Sequence, residues 1–131
     1  MAAPKILIVD DEVGIRRVIH NYLSNSIAGE FMEAANAYEA IEQIKANAID
    51  LLLLDIKMPG LSGREVIPKV REISPQTAII VITKWDSAEV SQEVMFSGAD
   101  YIPKPFSLKI VLAKVEEKLR AKGKFLSKQP G

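Results

Sequence analysis

The sequence contains no cysteine, which excludes a disulfide framework and thiolate ligands for a metal. It also lacks net charge, because seventeen basic and seventeen acidic residues cancel, so the charge balance favours neither nucleic acid nor a charged membrane surface as a partner. Long apolar runs are absent too, and the longest is far below the ~18 residues that span a bilayer. The opening MAAPKILIVDDE places acids directly after a short apolar run, unlike a signal peptide. We therefore expect a cytoplasmic protein.

The composition is ordinary for a globular protein, with 48% apolar and 26% charged residues among 131. This length suits one domain with its own hydrophobic core. A helical pattern near the end of the sequence stops at Gly123. We expect one domain over residues 1–122, followed by a tail or the start of a linker over residues 123–131.

Short apolar runs predict five strands. Nearly continuous runs are typical of parallel strands that are covered on both faces. Three are clear, KILIVD (5–10), LLLLD (51–55) and AIIVIT (78–83), and two are weaker, EFMEA (30–34) and DYIP (100–103).

Helical periodicity fills the segments between these strands. The first helix, from about residue 12 to 25, has an apolar face of Ile15, Val18, Ile19, Tyr22 and Leu23. Similar patterns begin near Ala37, Val66 and Leu108, and a less regular one covers residues 87–97. Three of these helices have a capping residue three positions before a glutamate, namely Asn36, Ser62 and Asp86.

Strict alternation of strand and helix predicts a parallel sheet with helices on both faces. We expect an α/β flavodoxin-like three-layer sandwich, with a five-stranded parallel sheet in the order 2-1-3-4-5 and five helices. Ligands of such sheets bind outside the carboxyl ends of the strands, at the switch point between strands 1 and 3.

Polar residues lie at this edge of the predicted sheet. Asp10 and Asp11 end strand 1, Asp55 ends strand 3, Thr83 ends strand 4 and Lys104 ends strand 5. The strands were assigned from apolar residues alone, so the position of these polar residues is independent support for one common site.

The three aspartates predict a cation site. Carboxylates brought together repel one another, and desolvation costs several kcal/mol per ion. Oxygen ligands suit a hard ion, and Mg²⁺ suits a sparse set because it keeps several waters. The backbone carbonyl of Lys57 could turn toward the same ion, whereas its charged side chain cannot be a ligand.

A carboxylate beside Mg²⁺, a lysine and a hydroxyl form a set suited to phosphoryl transfer. Asp55 would be the nucleophile and would become an aspartyl phosphate. Mg²⁺, Lys104 and the Thr83 hydroxyl would neutralise the equatorial oxygens of the transition state. No histidine base is needed, and the single histidine, His20, lies off the apolar face of the first helix.

Four motifs, ILIVDDE, LLLLDIKMPGLSG, IIVIT and GADYIPKPF, resemble the receiver domain of two-component response regulators. The resemblance extends from residue 5 to about 121. The motifs occur in the right order and at the right spacing, which makes their combination specific.

The resemblance implies a role for each site residue. Asp55 matches the phospho-acceptor, which takes a phosphoryl group from a phosphohistidine of a sensor kinase or phosphotransfer protein. Asp10 and Asp11 match the acidic pair that holds Mg²⁺, and Lys57 matches the carbonyl ligand. Lys104 matches the lysine that contacts the phosphoryl group.

The resemblance also implies a switch. Thr83 matches the switch hydroxyl and Tyr101 the aromatic residue that turns inward with it. The bond from Lys104 to Pro105 is usually cis in the family. Phosphorylation would shift the surface formed by helix 87–97, the fifth strand and the last helix, and thereby regulate an output partner or domain. The purpose is signalling rather than enzymatic turnover.

One position departs from the family pattern. The residue after the switch threonine is usually small, but here it is Lys84, followed by Trp85. A long cation could crowd the site or attract the phosphoryl group, and so change the rates of phosphorylation and dephosphorylation. Alternatively, the Lys84 side chain extends outward without effect.

Plainer structural roles compete with these assignments. Asp10 and Asp11 could cap the first helix, and Lys104 could be a surface lysine. Thr83 could be a strand residue, and Tyr101 an ordinary core aromatic.

Two other functions compete with this one. A receiver-like interaction module would bind partners without phosphorylation, and Lys84 is its only support. A phosphatase of related topology would place its nucleophile at the end of strand 1 in an acid-x-acid pattern, whereas Asp10 and Asp11 are adjacent. No phosphate-cradling loop follows strand 1, which argues against a flavin site, and there is no P-loop or dinucleotide glycine pattern.

Partner contacts are predicted only by position. Ile15, Arg16 and Ile19 on the first helix lie near the kinase contact that the family implies. Ile110 points away from the apolar face of the last helix and could contact a partner or a second copy in a phosphorylation-dependent homodimer. The sequence identifies neither the cognate kinase nor the output.

Overall fold

The computed structural model describes residues 3–56, 63–84 and 98–128. Several predicted features lie outside these ranges: Lys57, the cap at Ser62, Trp85, helix 87–97 with its cap at Asp86, and residues 129–131. They stay predictions.

The five predicted strands are confirmed and form one parallel sheet in the predicted order, β2-β1-β3-β4-β5. The strands span β1 (Lys5–Val9), β2 (Glu30–Ala34), β3 (Leu51–Leu54), β4 (Ala78–Thr83) and β5 (Asp100–Pro103). Strands β1 and β3 each end one residue earlier than predicted, because Asp10 and Asp55 follow the last paired residues of these strands.

Four helices occur in the described ranges: α1 (Val13–Ser24), α2 (Ala37–Ala46), α3 (Gly63–Ile73) and α4 (Leu108–Ala121). The predicted cap of α2 is present, since the Asn36 side chain accepts the Glu39 N–H at 2.9 Å. Pro68 lies inside α3.

The sheet separates two apolar cores, which confirms the three-layer sandwich. Side chains of a strand alternate between the two faces, so Leu52 and Leu54 join the core under α2 and α3. Leu51 and Leu53 join the core under α1 and α4. All four leucines are buried, each contributing about 1.5–3 kcal/mol. Strand β3 is therefore held from both sides.

Residues 123–128 fold back onto the domain, and we call this segment the C-terminal clasp. Ser127 forms an antiparallel bridge with Ile27, after the end of α1. The Ala28 N–H donates to the Leu126 carbonyl at 2.8 Å. Phe125 packs against the core under α1 and α4. The segment that we expected to be a tail or linker thus contacts the domain, while the boundary at residue 122 stays a prediction.

Asp50 ties the clasp to the start of β3. Its carboxylate accepts the Lys5 main-chain N–H at 2.8 Å and the Lys124 ammonium at 2.6 Å. Its carbonyl accepts the Lys122 ammonium at 2.7 Å. Burial alone would raise the pKa of Asp50, but the bonds from Lys124 and Lys5 outweigh it and lower that pKa. This charged group lies at the amino ends of the strands.

Candidate functional site

The two central strands bring the predicted aspartates together. Val9 and Leu54 are partners in the β1–β3 ladder, so the residues after them, Asp10 and Asp55, emerge side by side. Both are buried, whereas Asp11 is exposed. Carboxylate oxygens of the three aspartates lie within 4.8 Å of one another. The predicted convergence is therefore present in the structure.

Lys104 supplies the cation that balances this acidic group. Its ammonium lies 2.9 Å from Asp10 Oδ2 and 3.2 Å from Asp55 Oδ2, and its side chain is only 5% exposed. Burial would lower the pKa of Lys104, but the hydrogen bond that its ammonium donates to Asp10 and the charge of Asp55 outweigh burial and raise that pKa. Lys104 is therefore not a surface lysine. Its bond to Pro105 is cis.

The other two predicted residues lie on the neighbouring strands. Thr83 is fully buried at the end of β4, and its carbonyl accepts the Lys104 N–H at 2.8 Å. Tyr101 lies on β5, opposite Val81, and packs partly buried against the core under α2 and α3. Thr83 therefore adjoins the lysine, and Tyr101 lies on the next strand.

Helix capping alone does not account for the acidic pair. The residue that caps α1 is Glu12, and its side chain makes no capping hydrogen bond. Asp10 instead accepts the Glu12 N–H with Oδ1 at 2.9 Å, while its other oxygen bonds Lys104. The Asp10 carboxylate is therefore oriented toward the interior of the site.

An open cavity of about 160 Å³ lies over these groups. Its lining residues are Asp11, Glu12, Asp55, Lys84 and Lys104. Glu12 was not predicted, although it is the third acid of the run that follows β1. The cavity gives a small ligand access to the carboxylate of Asp55.

A second and more apolar groove adjoins the cavity. It has a volume of about 540 Å³ and is lined by Ile15, Lys84, Lys104, Pro105 and Phe106. Lys84 lines both spaces and is exposed. The Lys84 side chain therefore lies between the acidic cavity and the apolar groove.

The donor set fits a hard divalent cation. Within the described ranges, Asp10, Asp11 and Asp55 are the one group of three or more metal-ligating side chains close enough to share an ion. Their ligand atoms are all oxygens, as Mg²⁺ prefers. Lys57, the predicted carbonyl ligand, lies outside the described ranges.

Comparison with known proteins gives one consistent result. The family model described as "Response regulator receiver domain" matches residues 6–116. The chain is 41% identical over 117 residues to Transcriptional regulatory protein ResD of Bacillus subtilis (strain 168), covering 88% of this chain and 48% of ResD. It is 34% identical over 109 residues to Sporulation initiation phosphotransferase F of the same strain, covering 82% of this chain and 87% of that protein.

A solved structure has the same fold. The CheY-like response regulator receiver domain protein from Methanospirillum hungatei JF-1 superimposes with a TM-score of 0.87 at 34% sequence identity, covering 94% of this chain and 98% of that one. Among curated relatives such as ResD, the chain spans about half of the full length. None of the helices in the described part of the chain is long and apolar enough to cross a membrane.

Proposed function

Because this chain belongs to the response regulator receiver domain family of two-component systems, we propose that it is a phosphorylation-controlled switch whose phospho-acceptor is Asp55. One observation carries the proposal: a buried carboxylate, paired with a buried lysine and flanked by two further aspartates, opens into a cavity. A phosphodonor can reach such a carboxylate, and the adjacent cation can bind the transferred phosphoryl group.

The donor would be a phosphohistidine on a sensor kinase or phosphotransfer protein. An Asp55 carboxylate oxygen forms a bond to phosphorus as the phosphorus–nitrogen bond breaks. The electron pair of the broken bond stays on the imidazole, which takes up a proton from solvent. Transfer leaves an aspartyl phosphate on the receiver and a free histidine on the donor.

Lys104 and Thr83 would stabilise the transferred group. The Lys104 ammonium already lies at hydrogen-bond distance from Asp55, so it needs no large rearrangement to meet phosphoryl oxygens. The Thr83 hydroxyl, at the end of the adjacent strand, is the proposed switch donor. Tyr101 would turn inward as Thr83 moves, and so carry the change to the surface of β5 and the last helix.

Asp10, Asp11 and Asp55 would hold Mg²⁺, together with the Lys57 carbonyl. When bound, the ion supplies positive charge against the phosphoryl oxygens. The chain's own part is to hold the three carboxylates within reach of one ion, at the cost of their mutual repulsion.

The partners follow from this role. We propose a cytoplasmic receiver that takes phosphoryl groups from a histidine kinase or phosphotransfer protein and regulates an output domain or partner, without touching nucleic acid itself. Ile110, 54% exposed on α4, supports a phosphorylation-dependent homodimer through that helix.

Intact mass spectrometry after incubation with acetyl phosphate and magnesium chloride tests the proposal. We expect the mass gain of one phosphoryl group on the wild-type chain and none on Asp55→Asn. The absence of a gain on the wild type would favour the competing function, an interaction module that works without phosphorylation.

Lys84 is proposed to modulate the rates of phosphorylation and dephosphorylation. Its position on the cavity lining supports this, because a cation there can meet both the incoming phosphodonor and the attacking water. The Lys84→Ala variant should therefore change at least one of the two rates in a time course of the phosphorylated mass. If neither rate changes, Lys84 has no kinetic role.

A further inference from the structure

A group of charged side chains lies between α1 and β2, outside the acidic cavity. We call it the Glu33 cluster; it consists of Arg16, Arg17, His20 and Glu33. Arg16 Nε donates to Glu33 Oε1 at 3.1 Å, and Arg17 Nε lies 3.4 Å from Oε2. His20 Nδ1 lies 2.8 Å from the same Oε2. Three side chains of one helix thus converge on a single carboxylate.

Arg16 joins this cluster to the site. Its Nη1 donates to the main-chain carbonyl of Asp10 at 2.6 Å, and its side chain is only 13% exposed. On the other side, the Asp10 N–H donates to the Ala34 carbonyl at 3.2 Å. The residue that carries the first carboxylate of the site is therefore held by the β2 backbone and by Arg16.

Glu33, the partner of Arg16, is held in turn. It is the next-to-last residue of β2 and lies opposite Ile8, and its carbonyl accepts the Gln43 side-chain amide at 2.8 Å. The His20 ring stacks on Phe31, with centroids 5.5 Å apart. Burial would raise the pKa of Glu33, but the bonds from His20 and Arg16 outweigh it and lower that pKa. Arg16 thus keeps an ionised partner at neutral pH.

We propose that Arg16 is a positioning residue for the acidic site: it holds the peptide at Asp10 so that the carboxylates of Asp10 and Asp11 stay within reach of Asp55. The inference rests on the proposed function, since it concerns the cation site that phosphorylation would use. The guanidinium suits this role because its planar fork can bind two acceptors in fixed directions. A lysine at the same place would offer one flexible point charge.

Arg17 provides a natural control. It carries the same charge on the same helix turn and contacts the same Glu33 oxygen as His20. Its side chain is 69% exposed, and within the described residues the structure gives it no bond to Asp10. Both substitutions keep the positive charge, so comparison of Arg16→Lys with Arg17→Lys isolates the bond to the Asp10 carbonyl.

Isothermal titration of magnesium chloride into the full chain, without phosphodonor, tests the proposal. Loss of groups that orient metal ligands commonly weakens metal affinity by about ten- to a hundredfold, and we expect Arg16→Lys to lie in this range. Glu33→Gln should weaken the affinity in the same direction, because it releases Arg16. Arg17→Lys and Glu30→Gln, a control on the same strand, should stay within about twofold of wild type, as expected of exposed pairs.

A second measurement needs no metal. The amide resonances of Asp11 and Glu12 in the metal-free protein should shift in Arg16→Lys and Glu33→Gln, and stay in place in Arg17→Lys. Urea unfolding of each variant separates this local change from a general loss of stability. Wild-type magnesium affinity in Arg16→Lys would overturn the proposal. So would an equal loss in Arg17→Lys, because that variant keeps the bond from Arg16 to the Asp10 carbonyl.

The two proposals can fail separately. If the wild type gains no phosphoryl mass but Arg16→Lys selectively loses magnesium affinity, Arg16 positions a cation site and the phosphorylation proposal fails. If the wild type is phosphorylated on Asp55 while Arg16→Lys binds magnesium as tightly, the positioning role fails and the proposed function stands.

Discussion

Replacement of Lys104 by methionine would leave the acidic site without its internal cation. The Lys104 ammonium lies 2.9 Å from an Asp10 oxygen and 3.2 Å from an Asp55 oxygen. At an effective dielectric constant of about 20, these contacts correspond to attractions of about 6 and about 5 kcal/mol. Carboxylate oxygens of the aspartates lie within 4.8 Å of one another, and at that distance two charges repel by about 3 kcal/mol.

The desolvation of Lys104 offsets part of this attraction, and loss of one partner of a buried ion pair generally costs about 3–5 kcal/mol. We therefore expect Lys104→Met to lower the free energy of unfolding by that amount at pH 7 without magnesium. The raised pKa of Lys104 in the folded state means that its contribution is fully present below about pH 10.4 and is lost as the pH rises through the folded value. An assay at pH 7 thus detects the whole contribution of Lys104 to the free energy of unfolding.

Urea unfolding with and without magnesium chloride is the assay. If the cation site is formed by these aspartates, magnesium should stabilise Lys104→Met more than wild type, since the ion no longer competes with the ammonium. Lys118→Met is the control, because Lys118 pairs with Asp100 at 3.0 Å in a partly exposed position and should cost about 1 kcal/mol or less, with no response to magnesium. Equal stability of Lys104→Met and wild type without magnesium would refute the reasoning.

Three further predictions concern other parts of the molecule. Asp50→Asn should cost about 2–3 kcal/mol at pH 7, as for hydrogen bonds to a charged group. The lowered pKa means that this contribution is present above about pH 3.9 and disappears as the pH falls through the folded value, which urea unfolding across pH would follow. Phe125→Ala removes a partly buried ring that the Arg120 guanidinium covers at 4.2 Å. It should cost about 1–2 kcal/mol and speed hydrogen exchange at Ala28, which donates to the clasp; unchanged exchange would contradict this. Ile110→Glu should alter stability by no more than about 0.5 kcal/mol yet abolish dimerisation of the phosphorylated chain in light scattering, and a persistent dimer would exclude Ile110 from the interface.

The sheet was predictable because its signal is local. An apolar run buried on both faces, such as residues 51–54, is hard to mistake for an exposed segment, and the polar residue after it marks the strand end. The sheet order then brings Asp10 and Asp55 together, since the carboxyl ends of parallel strands share one edge. Residues far apart in the chain could thus be assigned to one site without any structure.

The contacts that escaped prediction are those between side chains of distant segments. The bond from Arg16 to the Asp10 carbonyl and the pairing of Asp50 with Lys124 follow no period, because they depend on where a long side chain ends. The prediction from helical periodicity was wrong for one residue of α1. Val18 was predicted on the core face, but the residue is 51% exposed. The buried stripe follows Ile19 and Leu23, and Val18 lies about 100° around the helix from Ile19.

The clasp brings the two ends of the described chain to one short loop. Ala28 donates its N–H to Leu126 at 2.8 Å, and two residues later Glu30 donates to Pro4 at 2.8 Å. Segments that lie this close can be joined by a brief peptide and the backbone reopened elsewhere. The domain is therefore suited to circular permutation, with the junction beside the edge strand and the aspartates at the opposite end of the sheet.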